Sequence, residues 1–156
     1  QAVERNDKMP KYCFDFVNKI LNQYKSKKLS IGLLGVAYGP GIGDTRFSPV
    51  EDFYKLLSLE FDQISLHDPY VSRWVEMSLD VETSLPHFFK EVFDVIIVTT
   101  AHRDYVMEDE IYDLINSSDK QPVIIDTVGL LDSKKLPASY IQDQNFYILG
   151  VGHQKE

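Results

Sequence analysis

The chain has 156 residues, the size of one ordinary domain, and its 44% hydrophobic and 12% aromatic content is enough to form a core. Its 16 basic and 24 acidic residues give a formal net charge of −8, which argues against nucleic acid or an anionic membrane as the main partner. No run approaches the roughly 18 apolar residues of a membrane span, so no membrane segment is predicted.

Apolar residues at helical spacing predict a long N-terminal helix over residues 7–25. Asn6 and Asp7 are candidate caps, and Pro10 is tolerated only in a first turn. We interpret Cys13 as a core residue and not a nucleophile, because no histidine lies near it in the chain. A single cysteine excludes an internal disulfide and fits a cytoplasmic location. The chain begins without methionine, and we expect it to be an excised piece of a longer protein. The apolar residues that predict the helix over residues 7–25 are Met9, Tyr12, Cys13, Phe16, Val17, Ile20, Leu21 and Tyr24.

Beyond this helix, strands and helices alternate along the chain. Continuous apolar runs predict strands, and helical periodicity predicts the segments between them. The alternation indicates an α/β fold with a doubly wound parallel sheet, in which ligands bind beyond the carboxyl ends of the strands. The predicted strands are 29–34, 63–67, 94–100, 122–126 and 146–150, and the predicted helices are 49–59, 84–91 and 108–117.

A glycine-rich segment, residues 35–48, follows the first predicted strand and ends at a helix start, Ser48-Pro49. Because free N–H groups at a helix N-terminus attract phosphate, the segment predicts a nucleotide site. It is too long for a G-x-G-x-x-G dinucleotide turn and lacks the G-K-[ST] of a Walker loop. A flexible loop held by a local Asp44–Arg46 pair is the alternative.

The other strand ends carry polar residues with two readings each. Asp68 could hold a ribose, or it could cap a turn before Pro69. His102 could bind a ligand or act as an acid–base group, or it could be structural. Asp126 could simply bond loop N–H groups. The four histidines have no metal spacing with cysteine or carboxylates, and no nucleophile motif occurs, so no catalytic constellation is predicted.

These motifs together resemble the C-terminal, UDP-binding domain of the UDP-glucose/GDP-mannose dehydrogenases. These NAD-dependent enzymes oxidise the C6 alcohol of a nucleotide sugar to a carboxylate. The resemblance covers about residues 28–152, and its D-T-R-x-S-P element is quite specific. The start of the chain also resembles the family's R-x-N-D-x-M-P. The matching segments are Leu34-Gly35-Val36-Ala37-Tyr38, Asp44-Thr45-Arg46-Phe47-Ser48-Pro49, Asp68-Pro69-Tyr70-Val71, Thr100-Ala101-His102 and Asp126-Thr127.

The resemblance implies a Rossmann-like UDP-binding domain over residues 28–156, preceded by part of a central dimerisation helix in residues 1–27. It implies a UDP-sugar ligand, a homodimer through helix 7–25, and an upstream half that binds NAD and holds the catalytic cysteine. Neither NAD binding nor catalysis is expected of this chain alone. The implied UDP-binding positions are Tyr38, Gly39, Asp44, Arg46, Asp68, His102 and Val128.

Two positions depart from the family pattern. Gly39 stands where the family usually has lysine, and Val128 stands where it usually has arginine. Each lost phosphate contact is expected to cost about 1.5–3 kcal/mol, or roughly tenfold or more in affinity. A degenerate domain kept for assembly is therefore one alternative, and another Rossmann-like nucleotide module, such as an NAD-binding regulatory domain, is a second. The motif forms favour the UDP-N-acetylhexosamine branch over the UDP-glucose branch.

Overall fold

The computed structural model describes residues 2–24 and 28–149, with side chains from residue 10 onward. Within these residues no helix is both long and apolar enough to cross a membrane. The helices are α1 (Ala2–Leu21), α2 (Pro49–Glu60), α3 (Leu85–Phe88), α4 (Glu110–Asn116) and α5 (Ser139–Gln142). The strands are β1 (Ser30–Leu34), β2 (Gln63–His67), β3 (Arg73–Trp74), β4 (Leu79–Asp80), β5 (Val95–Val98), β6 (Val123–Asp126) and β7 (Phe146–Ile148).

Five strands form one parallel sheet in the order β2-β1-β5-β6-β7. The chain runs outward from β1 to β2 and then returns to β5 on the other side of β1, so the switch point lies between β1 and β5. One hydrophobic cluster packs α1 and α2 on one face, and a second packs α3, α4 and α5 on the other. The predicted doubly wound α/β fold is confirmed.

The first helix differs from its prediction at both ends. It begins at Ala2 and not at residue 7, so Pro10 lies in its interior and deprives the Asn6 carbonyl of a backbone donor. It ends at Leu21, and the following residues form turns, with the Tyr24 N–H donating to the Leu21 carbonyl at 3.0 Å. Residue 25 lies outside the described residues.

The apolar face of α1 packs mostly within its own domain. Val17, Ile20 and Leu21 are buried in the cluster that contains α2. Cys13 is half-buried against the same cluster, and burial raises the pKa of its thiol. Tyr12, which is 49% exposed, is the large apolar side chain that α1 leaves at the surface among the described residues.

Sequence reasoning misjudged several short elements. The third main strand ends at Val98 and not at residue 100, because the N–H groups of Thr99 and Thr100 both turn to the Leu34 carbonyl. Helix α4 begins only at Glu110, since the backbone of the two preceding residues is left-handed. Helix α3 and strand β7 are likewise shorter than predicted. The β3–β4 hairpin and α5 were not predicted. Position 150 lies outside the described residues.

Candidate functional site

The glycine loop, residues 35–48, leaves β1 at the switch point and leads into α2. Ser48 closes it: its hydroxyl accepts from the Val50 N–H at 3.2 Å and donates to the Val36 carbonyl at 2.9 Å. Gly35 has φ +108°, and a Cβ there would lie 2.4 Å from the Thr100 Cβ. A Cβ at Gly43 would lie 2.6 Å from the Tyr70 carbonyl oxygen. These two glycines are therefore required for close packing of the loop on its neighbours.

The N-terminus of α2 offers less to a phosphate than the sequence predicts. Pro49 has no N–H, and the next two N–H groups bond to Ser48, one through its hydroxyl and one through its carbonyl at 3.1 Å. Glu51 and Asp52 add negative charge to the first turn. Because these carboxylates repel an anion, the N-terminus of α2 is by itself a poor site for a phosphate.

Asp68, just after β2, is fully buried and anchors the glycine loop. One carboxylate oxygen, Oδ2, accepts from the N–H groups of Val36 at 2.9 Å and Ala37 at 3.1 Å. The other oxygen, Oδ1, accepts from the Tyr70 N–H at 2.9 Å, so Asp68 also caps the turn that contains Pro69. Burial raises the pKa of Asp68, but the hydrogen bonds that it accepts, first among them that from His102, lower the pKa by more. The net shift of the Asp68 pKa is therefore downward.

His102 joins this anchor to the glycine-rich part of the loop. The side chain is fully buried, and its Nε2 lies 2.9 Å from Asp68 Oδ2. Its Nδ1 accepts from the Gly41 N–H at 3.0 Å, which assigns the hydrogen to Nε2. Both ring nitrogens are therefore engaged, and the structural reading of His102 fits better than an acid–base role.

Asp44 and Arg46 form the local pair that the sequence suggested. The Arg46 Nε and Nη2 donate to the two Asp44 oxygens at 3.0 and 2.8 Å, and Arg46 lowers the pKa of Asp44 to about 2. The pair is on the surface, and the Tyr38 N–H donates to the Asp44 carbonyl at 2.7 Å. Tyr38 and Phe47 extend into solvent from the same loop, with exposures of 52% and 92%.

The two departures from the family pattern lie on different loops. Gly39 faces open space, with only Ile42 Cδ1, at 4.0 Å, near a hypothetical Cβ. Val128 follows β6, one strand farther from β1 than β5, and is 36% exposed. Its N–H donates to Asp126 at 3.1 Å. Asp126 also accepts from the Leu131 N–H at 2.7 Å, as its structural reading expects, and burial raises the pKa of its carboxyl group.

Arg103 is a candidate binding residue that sequence reasoning did not select. It directly follows His102, is exposed, and forms no ion pair with any residue that the structure describes. The signal in the sequence that could have identified Arg103 is a basic residue in a loop that follows a predicted strand. Within residues 10–24 and 28–149, no three side chains are arranged to hold a metal ion. Arg46 and Arg103 are the exposed cations that these loops offer to an anionic ligand.

Comparison with known proteins agrees with the motifs. Residues 32–133 match the UDP binding domain of the UDP-glucose/GDP-mannose dehydrogenase family. A UDP-N-acetyl-D-mannosamine dehydrogenase from Methanocaldococcus jannaschii is 27% identical over 152 residues, which are 97% of this chain and 33% of that protein. One from Methanococcus vannielii is 28% identical over 132 residues, 84% of this chain and 30% of that protein.

Solved structures agree on the fold. A UDP-D-ManNAc dehydrogenase from Pyrococcus horikoshii superposes with a TM-score of 0.70 at 23% identity, covering 92% of this chain and 31% of that one. An NDP-N-acetyl-D-galactosaminuronic acid dehydrogenase from Methanosarcina mazei gives 0.69 at 23% identity, covering 94% and 30%. The chain thus spans about a third of the length of these relatives. It belongs to the UDP-glucose/GDP-mannose dehydrogenase family, as that family's UDP-binding domain.

Proposed function

We propose that this chain binds the UDP moiety of a UDP-N-acetylhexosamine for an NAD-dependent nucleotide-sugar 6-dehydrogenase. The observation that best supports this proposal is the glycine loop at the switch point of the sheet, which Asp68 and His102 hold in place in a chain of this family. The names of the M. jannaschii and P. horikoshii relatives support an N-acetylated sugar. Of the seven UDP-binding positions that the resemblance implies, four lie in the glycine loop and two anchor it, whereas Val128 lies on the separate loop after β6. The loop positions are Tyr38, Gly39, Asp44 and Arg46, and the anchors are Asp68 and His102.

In the complete enzyme, this domain would contribute binding energy and not chemistry. Contacts to the remote UDP would orient the sugar C6 at a cysteine in the upstream half. That cysteine would form thiohemiacetal and acyl intermediates, and NAD, bound upstream, would accept the hydrides. Arg46 and Arg103 are the cations of this chain that we assign to the diphosphate, because Gly39 and Val128 carry none.

A homodimer through α1 in a cytoplasmic enzyme is part of this proposal. The exposed Tyr12 and the half-buried aromatic residues around it are the surface that a second copy would cover. Light scattering of the chain at about 100 µM should give twice the mass of the monomer, and Tyr12→Glu should lower it. A mass equal to one chain at every concentration would count against the dimer.

A domain kept for assembly alone is the second candidate. It is favoured by the missing side chain at Gly39 together with the Asp44 carboxylate, which occupies two of the Arg46 donors. Calorimetry with UDP, a UDP-N-acetylhexosamine and NAD separates the candidates. Binding of UDP and its sugar supports our proposal, absence of all binding supports assembly, and binding of NAD alone supports a regulatory dinucleotide module.

Gly39→Lys tests whether charge limits the affinity. Gly39 lacks the left-handed backbone of Gly41, and its surroundings have room for a side chain, so the variant should fold normally. A lysine able to reach the phosphates should strengthen UDP binding by about tenfold. Gly39→Gln is the matched neutral control, and calorimetry at low salt is the measurement. An equal gain from glutamine would refute the role of charge.

A further inference from the structure

The tip of the glycine loop, residues 39–43, is held by one side chain. The tip is mostly exposed, and the one hydrogen bond that it makes to the described residues runs from the Gly41 N–H to His102 Nδ1, at 3.0 Å. A hypothetical Cβ at Gly41 would meet nothing within 4 Å, so close packing does not fix this residue. The position of the tip around Gly41 therefore depends on His102.

The bond from Gly41 exists only while Nδ1 of His102 carries no hydrogen. In the neutral ring, with its hydrogen on Nε2, Nδ1 is an acceptor, whereas in the charged ring both nitrogens are donors. Two N–H groups would then face each other across the 3.0 Å that now joins a donor to an acceptor, and the bond must break. Because His102 is fully buried and Gly41 is exposed, the loop tip is the part that is free to move away.

The buried site can hold the positive charge of a protonated ring. Asp68 Oδ2 lies 2.9 Å from His102 Nε2, and both side chains are fully buried. Burial raises the pKa of Asp68, but its hydrogen bonds lower that pKa by more, so the carboxylate stays ionised and would balance the charge on the ring. On the glycine loop, Asp44 and Arg46 form an ion pair and offset each other's charge.

The remaining titratable groups around His102 do not change charge between pH 8 and pH 5. The rings of Tyr70 and Tyr105 lie 5.2 and 5.8 Å from the imidazole, and both stay neutral, since the bond to Asp104 raises the pKa of Tyr70 and burial raises that of Tyr105. Burial lowers the pKa of His67 to about 4, so that ring is also neutral. Arg103, the next residue in the chain, is exposed to solvent.

We propose that His102 is a proton-operated latch on the glycine loop: the neutral ring holds the tip, the protonated ring releases it, and acidification thereby weakens the binding of a UDP-sugar. The Gly41 N–H covers Nδ1, so a proton reaches this nitrogen when the tip opens, and the bound proton then keeps the tip open. The effect on affinity rests on the proposed function, whereas the release of the tip does not.

The first test is an NMR titration of the full chain from pH 8 to pH 5, which follows the imidazole signals of His102 and the amide signal of Gly41. The two should change with the same midpoint, because one proton controls both. The amide of Gly32, buried within β1, is the control and should not follow that midpoint.

The second test is calorimetry with UDP-N-acetylglucosamine at pH 7.5 and pH 5.5. Both ends of its diphosphate are esterified, so the ligand keeps its charge over this range. The affinity of the parent chain should fall about three- to tenfold on acidification. His102→Asn, whose Oδ1 can accept from Gly41 without titrating, should show a smaller fall. His87→Asn, at an exposed site, is the matched control and should show the fall of the parent.

An unchanged Gly41 signal while His102 titrates, a His102 ring that gains no proton by pH 5, or an equal fall in affinity for the parent and His102→Asn would each overturn the latch. If His102→Asn does not fold, the NMR titration of the parent decides. Absence of UDP-sugar binding at both pH values would count against the proposed function, and the Gly41 signal would still decide the latch.

Discussion

Replacing Asp68 with asparagine is expected to lower the free energy of unfolding by about 2–4 kcal/mol. Its two oxygens together accept four hydrogen bonds, from three backbone N–H groups and from His102 Nε2. An asparagine retains one oxygen and turns an amino group toward donors that then have no acceptor. Since Asp68 is fully buried, water cannot replace the lost bonds.

Urea unfolding at pH 7 is the measurement, and Asp62→Asn is the matched control. Asp62 is exposed and precedes the same strand, so its amide should change the stability by less than about 0.5 kcal/mol. In the Asp68 variant the amides of Val36 and Ala37 should also exchange faster with solvent, because they lose their acceptor. Similar stabilities for the two variants would mean that Asp68 is not the anchor of the glycine loop.

The central sheet was predictable because its strands are continuous apolar runs. Residues 95–98 and 123–126 are entirely buried, and such runs favour parallel strands covered on both faces. The positions of the strand-end loops then follow from the topology. Asp68, His102 and the glycine loop were therefore expected at one edge of the sheet, and the hydrogen bonds among them agree with that expectation.

The local pair of Asp44 and Arg46 was predictable, but the pairings between distant segments of the site were not. The bond between His102 and the Gly41 N–H joins residues 61 positions apart, and no local pattern encodes it. The left-handed backbone at Glu108 and Asp109 is rare for residues with a side chain, and propensity predicts a helix there. The β3–β4 hairpin has two residues per strand, too few for an alternating pattern, although Arg73 and Asp80 pair across it at 2.8 Å.

Acidification is expected to destabilise the chain through His67. Its pKa is about 4 in the folded chain, because of burial, and about 6.5 in an unfolded chain. Between these values the unfolded state binds the proton and the folded state does not, so stability falls as the pH falls from about 6.5 to about 4. The full loss is about 3 kcal/mol, of which about 2 kcal/mol falls between pH 7 and pH 5.

His67→Gln isolates this contribution, because the other titrating groups remain in both proteins. Asp126, with its raised pKa, opposes the loss on acidification, and Asp68, with its lowered pKa, adds to the loss at more acidic pH. Urea unfolding should show the variant losing about 2 kcal/mol less than the parent between pH 7 and pH 5. His87→Gln, at an exposed site, should behave as the parent does. Should the His67 variant not fold, an NMR titration of the His67 imidazole in the parent chain decides. A pKa near 6.5, as in an unfolded chain, would mean that the ring is hydrated, and a pKa near 4 would mean that burial lowers it.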